Sequence, residues 1–162
     1  MNAVTGLHRS MRVVVVDDSL TIRAMLEEII GREPGYEVVG VAADVKTARA
    51  LIAKFHPDLI TLDLMIPGVN GLQFLDEMSI YQHMRVIVVS SLTTADASMG
   101  EKVIARGADA WFDKGKIVSQ GRAFIKLVAK TMTDRSLRRR AVLGEDAPTL
   151  EQLCLDDVPQ PE

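Results

Sequence analysis

The sequence predicts a doubly wound α/β domain, a five-stranded parallel sheet in the order 2-1-3-4-5 with helices on both faces. Two observations point there. Short β-branched runs alternate with longer stretches of helical periodicity across residues 12–121, the signature of βαβ units. The first run, RVVVVD at 12–17, is apolar without alternation, as a central strand covered on both faces must be.

The remaining elements follow in order. Ser19 is placed to cap a helix whose Ile22, Met25, Leu26, Ile29 and Ile30 recur at helical spacing, with Gly31 and Pro34-Gly35 ending it. YEVVGVA (36–42) reads as the second strand. Asp44 caps a helix to about Phe55, with Ala48, Leu51 and Ile52 on one face, and His56-Pro57 closes it. LITLD (59–63) is the third strand, and the turn through Pro67, Gly68, Val69, Asn70 and Gly71 leads to a helix carrying Phe74, Leu75 and Met78. RVIVVS (85–90) is the fourth strand, Thr94 starts a helix through about Arg106, and AWFD (110–113) is a short fifth strand. A last helix covers about 120–132, with Phe124, Leu127 and Val128 inward.

Composition narrows the function. A chain of 162 residues holds one ordinary domain and a modest appendage. One cysteine, Cys154, excludes an internal disulfide framework and a cysteine-rich zinc site. Aromatic residues are 4% of the chain, too few to suggest a base-stacking surface. The first twelve residues carry no apolar core, so a cytoplasmic protein without a membrane segment is expected. The net charge of -3 conceals segregation. Residues 122–140 hold seven basic residues and one acid, and residues 141–162 hold six acids and no base. The expected organisation is an extension at 1–10, a folded domain at 11–132 and a charged tail at 133–162.

In an open α/β sheet, ligands bind beyond the carboxyl ends of the strands. Those ends carry Asp17 and Asp18, Asp63, Ser90 and Ser91, and Asp113 and Lys114. A single Asp after a strand is often only a helix cap; the joint placement at four strand ends is what carries a functional reading. Clustered carboxylates repel unless a cation lies among them, and Mg²⁺ with oxygen ligands fits such a group. Metal-assisted hydrolysis and phosphoryl transfer both use this equipment. In the second, Asp63, on the middle strand before a Pro-Gly turn, is the best-placed nucleophile. His8, His56 and His83 are scattered, and none joins this edge.

Together VVVVDDS (13–19), ITLDLMIPGVNG (60–71), VVSSLT (88–93) and the lysine of WFDK (111–114) resemble the receiver domain of bacterial two-component response regulators, a flavodoxin-like fold. The resemblance covers about residues 11–130 and is strongest to the receiver of chemotaxis protein-glutamate methylesterase. It implies that Asp63 accepts a phosphoryl group from a sensor histidine kinase or phosphotransfer protein. Asp17, Asp18, Asp63 and the main-chain carbonyl of Met65 would hold Mg²⁺. Ser90 and Lys114 would bind phosphoryl oxygens, and Trp111 would be the switch aromatic that turns inward as Ser90 moves. The output partner is expected at the face made by the fourth helix, fifth strand and fifth helix, and a homodimer is a further candidate.

Three departures from the family pattern stand out. Gly115 follows Lys114 where the family usually has Pro, often through a cis bond. Bulky apolar Met65 and Leu92 stand two residues after Asp63 and Ser90, positions that influence water access in this family, so slow self-dephosphorylation is expected. No G-x-S-x-G nucleophile elbow occurs in the sequence, so no methylesterase activity is expected and output would pass through binding or phosphate relay. Competing readings are a transcription regulator using the basic segment 135–140, a truncated chemotaxis methylesterase regulator and a Mg²⁺-dependent phosphatase, though the last would want an acid at Met65. Nucleic acid is the less favoured partner, because Arg at a helix end also complements the helix dipole. The opposed basic and acidic blocks raise one more expectation, that the tail folds back on the basic helix end.

Overall fold

The computed structural model describes residues 9–91 and 98–134. Five strands, β1 (Met11–Val16), β2 (Tyr36–Ala42), β3 (Leu59–Leu62), β4 (Arg85–Ser90) and β5 (Ala110–Asp113), form one parallel sheet in the order β2-β1-β3-β4-β5. The helices between and after them are α1 (Leu20–Gly31), α2 (Val45–Phe55), α3 (Gly71–Ser79), α4 (Met99–Ala105) and α5 (Gly121–Thr133). A 3-10 turn, Lys114–Lys116, separates β5 from α5.

The unbroken apolar run of β1 is explained by two cores, one on each side of the sheet. Successive side chains alternate faces, so Val13 and Val15 join one cluster and Val14 and Val16 the other. The first cluster is completed by Leu26 and Ile30 of α1 and by Phe124 and Val128 of α5. The second takes Ala48 and Ile52 of α2, Phe74, Leu75 and Met78 of α3, and Val103 of α4. Edge strand β2 is only partly buried, and its register with β1 slips between Val13 and Val14, opposite Val38 and Gly40.

Local signals behave as their chemistry requires. The Ser19 hydroxyl accepts from the Ile22 N–H and the Asp44 carboxylate from the Thr47 N–H. Asn70, read only as a turn residue, also caps α3 by accepting from the Leu72 and Gln73 N–H groups. His56 ends α2 at φ 45, a left-handed C-terminus. The proposed cap Thr94 lies outside the described residues; the described part of α4 follows Ser98, whose side chain makes no capping bond. The basic segment 135–140, the acidic tail, Leu92 and His8 also lie outside them. Among the described residues no helix is long and apolar enough to cross a membrane.

Gly71 opens α3 at the end of the loop that leaves Asp63. A Cβ there would overlap the carbonyl oxygen of Leu64 and approach its Cα to 2.6 Å, so backbone would have to move. Gly31 meets nothing within 4 Å. Gly71→Ala is therefore expected to cost about 1–3 kcal/mol, whereas Gly31→Ala, at the end of a helix, is neutral or stabilising by up to about 1 kcal/mol. Urea denaturation of the two variants checks this, and equal effects would contradict the steric account.

Candidate functional site

Parallel strands deliver their last residues to one edge of a sheet, and that edge carries the polar cluster. Asp17, Asp63 and Lys114 each stand one residue beyond a strand, and Ser90 is the last residue of β4. Register draws them together: Val16 pairs with Leu62, Leu62 with Val88, and Ser90 with Asp113. The Asp63 N–H donates to Val16 O at 2.9 Å, and the Asp17 N–H to Ala42 O at 3.0 Å. Both backbones are thus held as extensions of the sheet.

The carboxylates of Asp17 and Asp63 are each 1% exposed. The Lys114 ammonium lies between them, 2.9 Å from Asp17 Oδ1 and 2.8 Å from Asp63 Oδ2. Two main-chain N–H groups share the negative charge, Ser19 donating to Asp17 Oδ1 at 2.8 Å and Met65 to Asp63 Oδ1 at 3.0 Å. The Ser90 hydroxyl makes a long bond to Asp63 Oδ1 at 3.4 Å. Asp18 is exposed and completes a trio with Asp17 and Asp63 whose ligand atoms lie within 4.8 Å of one another.

The electrostatics follow from this geometry. Burial pushes the Asp17 carboxyl above its ordinary value, and the neighbouring Asp63 charge adds to the push, against the lowering by Lys114 and the Ser19 N–H. Folding therefore tightens the hold of Asp17 on a proton, so this residue's contribution to stability falls as pH rises from the ordinary carboxylate value through the raised one. Burial alone would depress Lys114, but its bonds to Asp63 and Asp17 outweigh that and hold it above the ordinary lysine value. Its contribution is complete below the ordinary lysine value and is lost as pH rises through the raised one.

One ammonium facing three carboxylates leaves the cluster negative. Asp17 Oδ2 is buried and makes no hydrogen bond, although Lys114 Nζ lies 2.9 Å away. An all-oxygen donor set whose three carboxylates face one ammonium fits a hard divalent cation such as Mg²⁺.

The structure brings Asp17, Asp18, Asp63, Ser90 and Lys114 to one place. Met65 follows Asp63 in the adjoining loop with 71% of its surface exposed. Trp111 pairs with Val88 in the sheet, three residues before Lys114. It is half-buried against the core on the α4 side, beside Gly100, and its Nε1 has no hydrogen-bond partner among the described residues. Two interactions escaped the sequence reading. Arg23 of α1 donates to the Asp17 main-chain oxygen at 2.7 Å, fixing the turn that carries the acidic pair. Asp113 accepts from the Gly115 N–H at 2.9 Å, and the two-residue separation of an Asp and a Gly was the available signal.

The model of the response regulator receiver domain matches residues 13–126. Among curated proteins, protein-glutamate methylesterase/protein-glutamine glutaminase 1 of Xanthomonas campestris is 42% identical over 111 residues, 68% of this chain and 31% of that protein. The corresponding protein 4 of Anaeromyxobacter dehalogenans is 39% identical over 141 residues, 86% of this chain and 38% of that protein. The chain thus spans about a third of the length of the curated relatives it matches. Among solved structures, the response regulator domain of Thermotoga maritima CheB superposes with a TM-score of 0.70 at 31% identity, covering 78% of this chain and 98% of that one.

Removing the shared ammonium leaves two buried carboxylates facing each other. Lys114→Ala is expected to cost about 3 kcal/mol without metal. Saturating Mg²⁺ should then raise its melting temperature by more than that of the unsubstituted protein. Equal Mg²⁺-induced shifts in thermal melts would show that Lys114 is not the counter-ion of the pair.

Proposed function

Because the chain belongs to the response regulator receiver family, whose general function is to accept a phosphoryl group, we propose that Asp63 is the acceptor and that residues 11–132 form the receiver unit. The observation carrying this reading is the pair of buried carboxylates, Asp17 and Asp63, bridged by Lys114 with Ser90 alongside. Carboxylates buried at a strand edge are a poor choice for stability alone. They are well suited to a nucleophile whose charge must be neutralised as a second anion arrives.

In the proposed step, an oxygen of the Asp63 carboxylate attacks the phosphorus of a phosphohistidine on a sensor kinase or phosphotransfer protein. A P–O bond forms, the P–N bond breaks, and the imidazole leaves with the bonding electron pair. Mg²⁺, when bound, would supply charge neutralisation for the oxygens of the group in transfer, with Asp17, Asp18, Asp63 and the Met65 carbonyl to hold it. Lys114, already between the acids, is in reach to pair with a phosphoryl oxygen on Asp63. The Ser90 hydroxyl, at a long distance from Asp63, gains a stronger acceptor there and draws closer.

Trp111 then becomes the reporter of the site. Its side chain belongs to the strand that leads into Lys114, and its indole N–H has no hydrogen-bond partner among the described residues. A change at Ser90 that repacks Trp111 would alter the surface formed by α4, β5 and α5, giving phosphorylation-dependent protein binding by population shift. Transfer of the phosphoryl group onward to a second protein is the other use of the same chemistry. A cytoplasmic setting follows from a kinase as donor.

Acetyl phosphate with Mg²⁺ is expected to load a hydroxylamine-labile phosphoryl group and to change Trp111 fluorescence, and Asp63→Asn is expected to lose both. Incorporation unaffected by Asp63→Asn would overturn the assignment. Because the exposed Met65 side chain offers water no hydrogen bond, the acyl phosphate should last well beyond seconds. Met65→Asn, which can hold a water, should shorten its lifetime about tenfold or more; a wild-type lifetime of seconds would contradict this account.

A further inference from the structure

A lysine carries its ammonium on a flexible four-carbon stem, so its backbone must be fixed if the head is to lie between two particular carboxylates. For Lys114 that fixing begins at β5. Asp113, the last residue of the strand, is held in register opposite Ser90. Its side chain turns along the chain rather than toward the acidic cluster, and Oδ1 accepts from the Gly115 N–H at 2.9 Å. The turn closes behind it: the Ile117 N–H donates to Lys114 O at 3.3 Å, and the Gln120 N–H to Lys116 O at 2.8 Å. Fully buried Ile117 anchors the far end. Lys114 is thus clamped on both sides, by a side-chain cap before it and a buried residue after it.

Residue 115 suits this arrangement. A proline there would have no N–H to give, whereas a Cβ would only reach ordinary contact with Asp113 Oδ1, at 3.4 Å. Gly115 supplies the donor that the family's usual proline lacks. The Gly115 N–H is the one hydrogen-bond partner of the Asp113 carboxylate among the described residues.

We infer that Asp113 is a positioning residue: by capping the Gly115 N–H, its carboxylate fixes the turn that delivers the Lys114 ammonium to Asp17 and Asp63. Its effect on phosphoryl transfer rests on the function proposed above; its effect on the placement of Lys114 does not.

The two are tested separately with Asp113→Ala, which removes the acceptor, and Asp113→Asn, which keeps an oxygen in the same place. In metal-free protein, acetylation of Lys114 by acetic anhydride is followed by peptide mass analysis, with exposed Lys126 as internal reference. A freed ammonium reacts faster, so Asp113→Ala is expected to raise the Lys114 to Lys126 ratio about tenfold, the scale of one hydrogen bond to a charged group, and Asp113→Asn to leave it near the wild-type ratio. Should Asp113→Ala fail to fold, Asp113→Ser takes its place, with an intermediate increase expected from its weaker acceptor. Phosphoryl uptake from acetyl phosphate with Mg²⁺ should slow in Asp113→Ala and recover in Asp113→Asn. An unchanged labelling ratio in Asp113→Ala, or equal increases in the Ala and Asn variants, would overturn the inference. If the wild type takes up no phosphoryl group, the proposed function falls while the labelling ratio still decides the role of Asp113.

Discussion

The ammonium of Lys114, shared between Asp17 and Asp63, is the interaction on which the rest of the site depends. Two carboxylates with almost no solvent exposure cannot both stay ionised at close range without a cation. The lysine supplies one charge where the cluster presents three, so the site is held together yet remains attractive to a further cation. A fully neutralised cluster would be more stable and would have no use for a metal. An uncompensated one would take up protons and lose its negative charge. The arrangement lies between these limits, and it requires β1, β3 and β5 to end at the same level.

That level is a property of the sheet. Each chemically active residue stands at or just past a strand end, and parallel pairing makes those ends coincide. Helix caps keep the following segments out of the way: Ser19 starts α1 immediately after the acidic pair, and Asn70 with Gly71 starts α3 immediately after the Asp63 loop. Gly71 is small because the Leu64 backbone passes against it, so the course of the loop beside Asp63 is set by a steric fit several residues away.

Much of this was legible in the sequence because the signals were strong and local. Apolar runs of four to six residues, caps before periodic stretches and polar residues at predicted strand ends pointed to the fold class and the acidic edge with Ser90 and Lys114, and the strand order came with the flavodoxin-like fold. What escaped were interactions whose partners are main-chain atoms. The Arg23 side chain reaches the Asp17 carbonyl, and no pattern of residue types announces an acceptor that every residue possesses. Asn70 had been read as part of a turn, which is also the composition expected of a cap. Gly115 was visible as a departure from the family pattern, but its function depends on the orientation of the Asp113 carboxylate, and orientation is a three-dimensional fact. The bond from Lys114 to both acids likewise appears only once the strand ends are assembled, since the sequence reading paired it with a phosphoryl oxygen.

The two cores on opposite sides of the sheet divide β5 as they divide β1. Trp111 packs with the cluster covered by α2, α3 and α4, while the next residue, Phe112, packs edge-on against Phe124 at 5.2 Å in the cluster covered by α1 and α5. Neighbouring residues of one four-residue strand therefore belong to different interiors. Phe112 ties the strand that carries Lys114 to α5, while Trp111 faces α4 across the sheet. Under the proposed function, a repacking of Trp111 would be separated from the anchoring of the lysine by the thickness of the sheet itself.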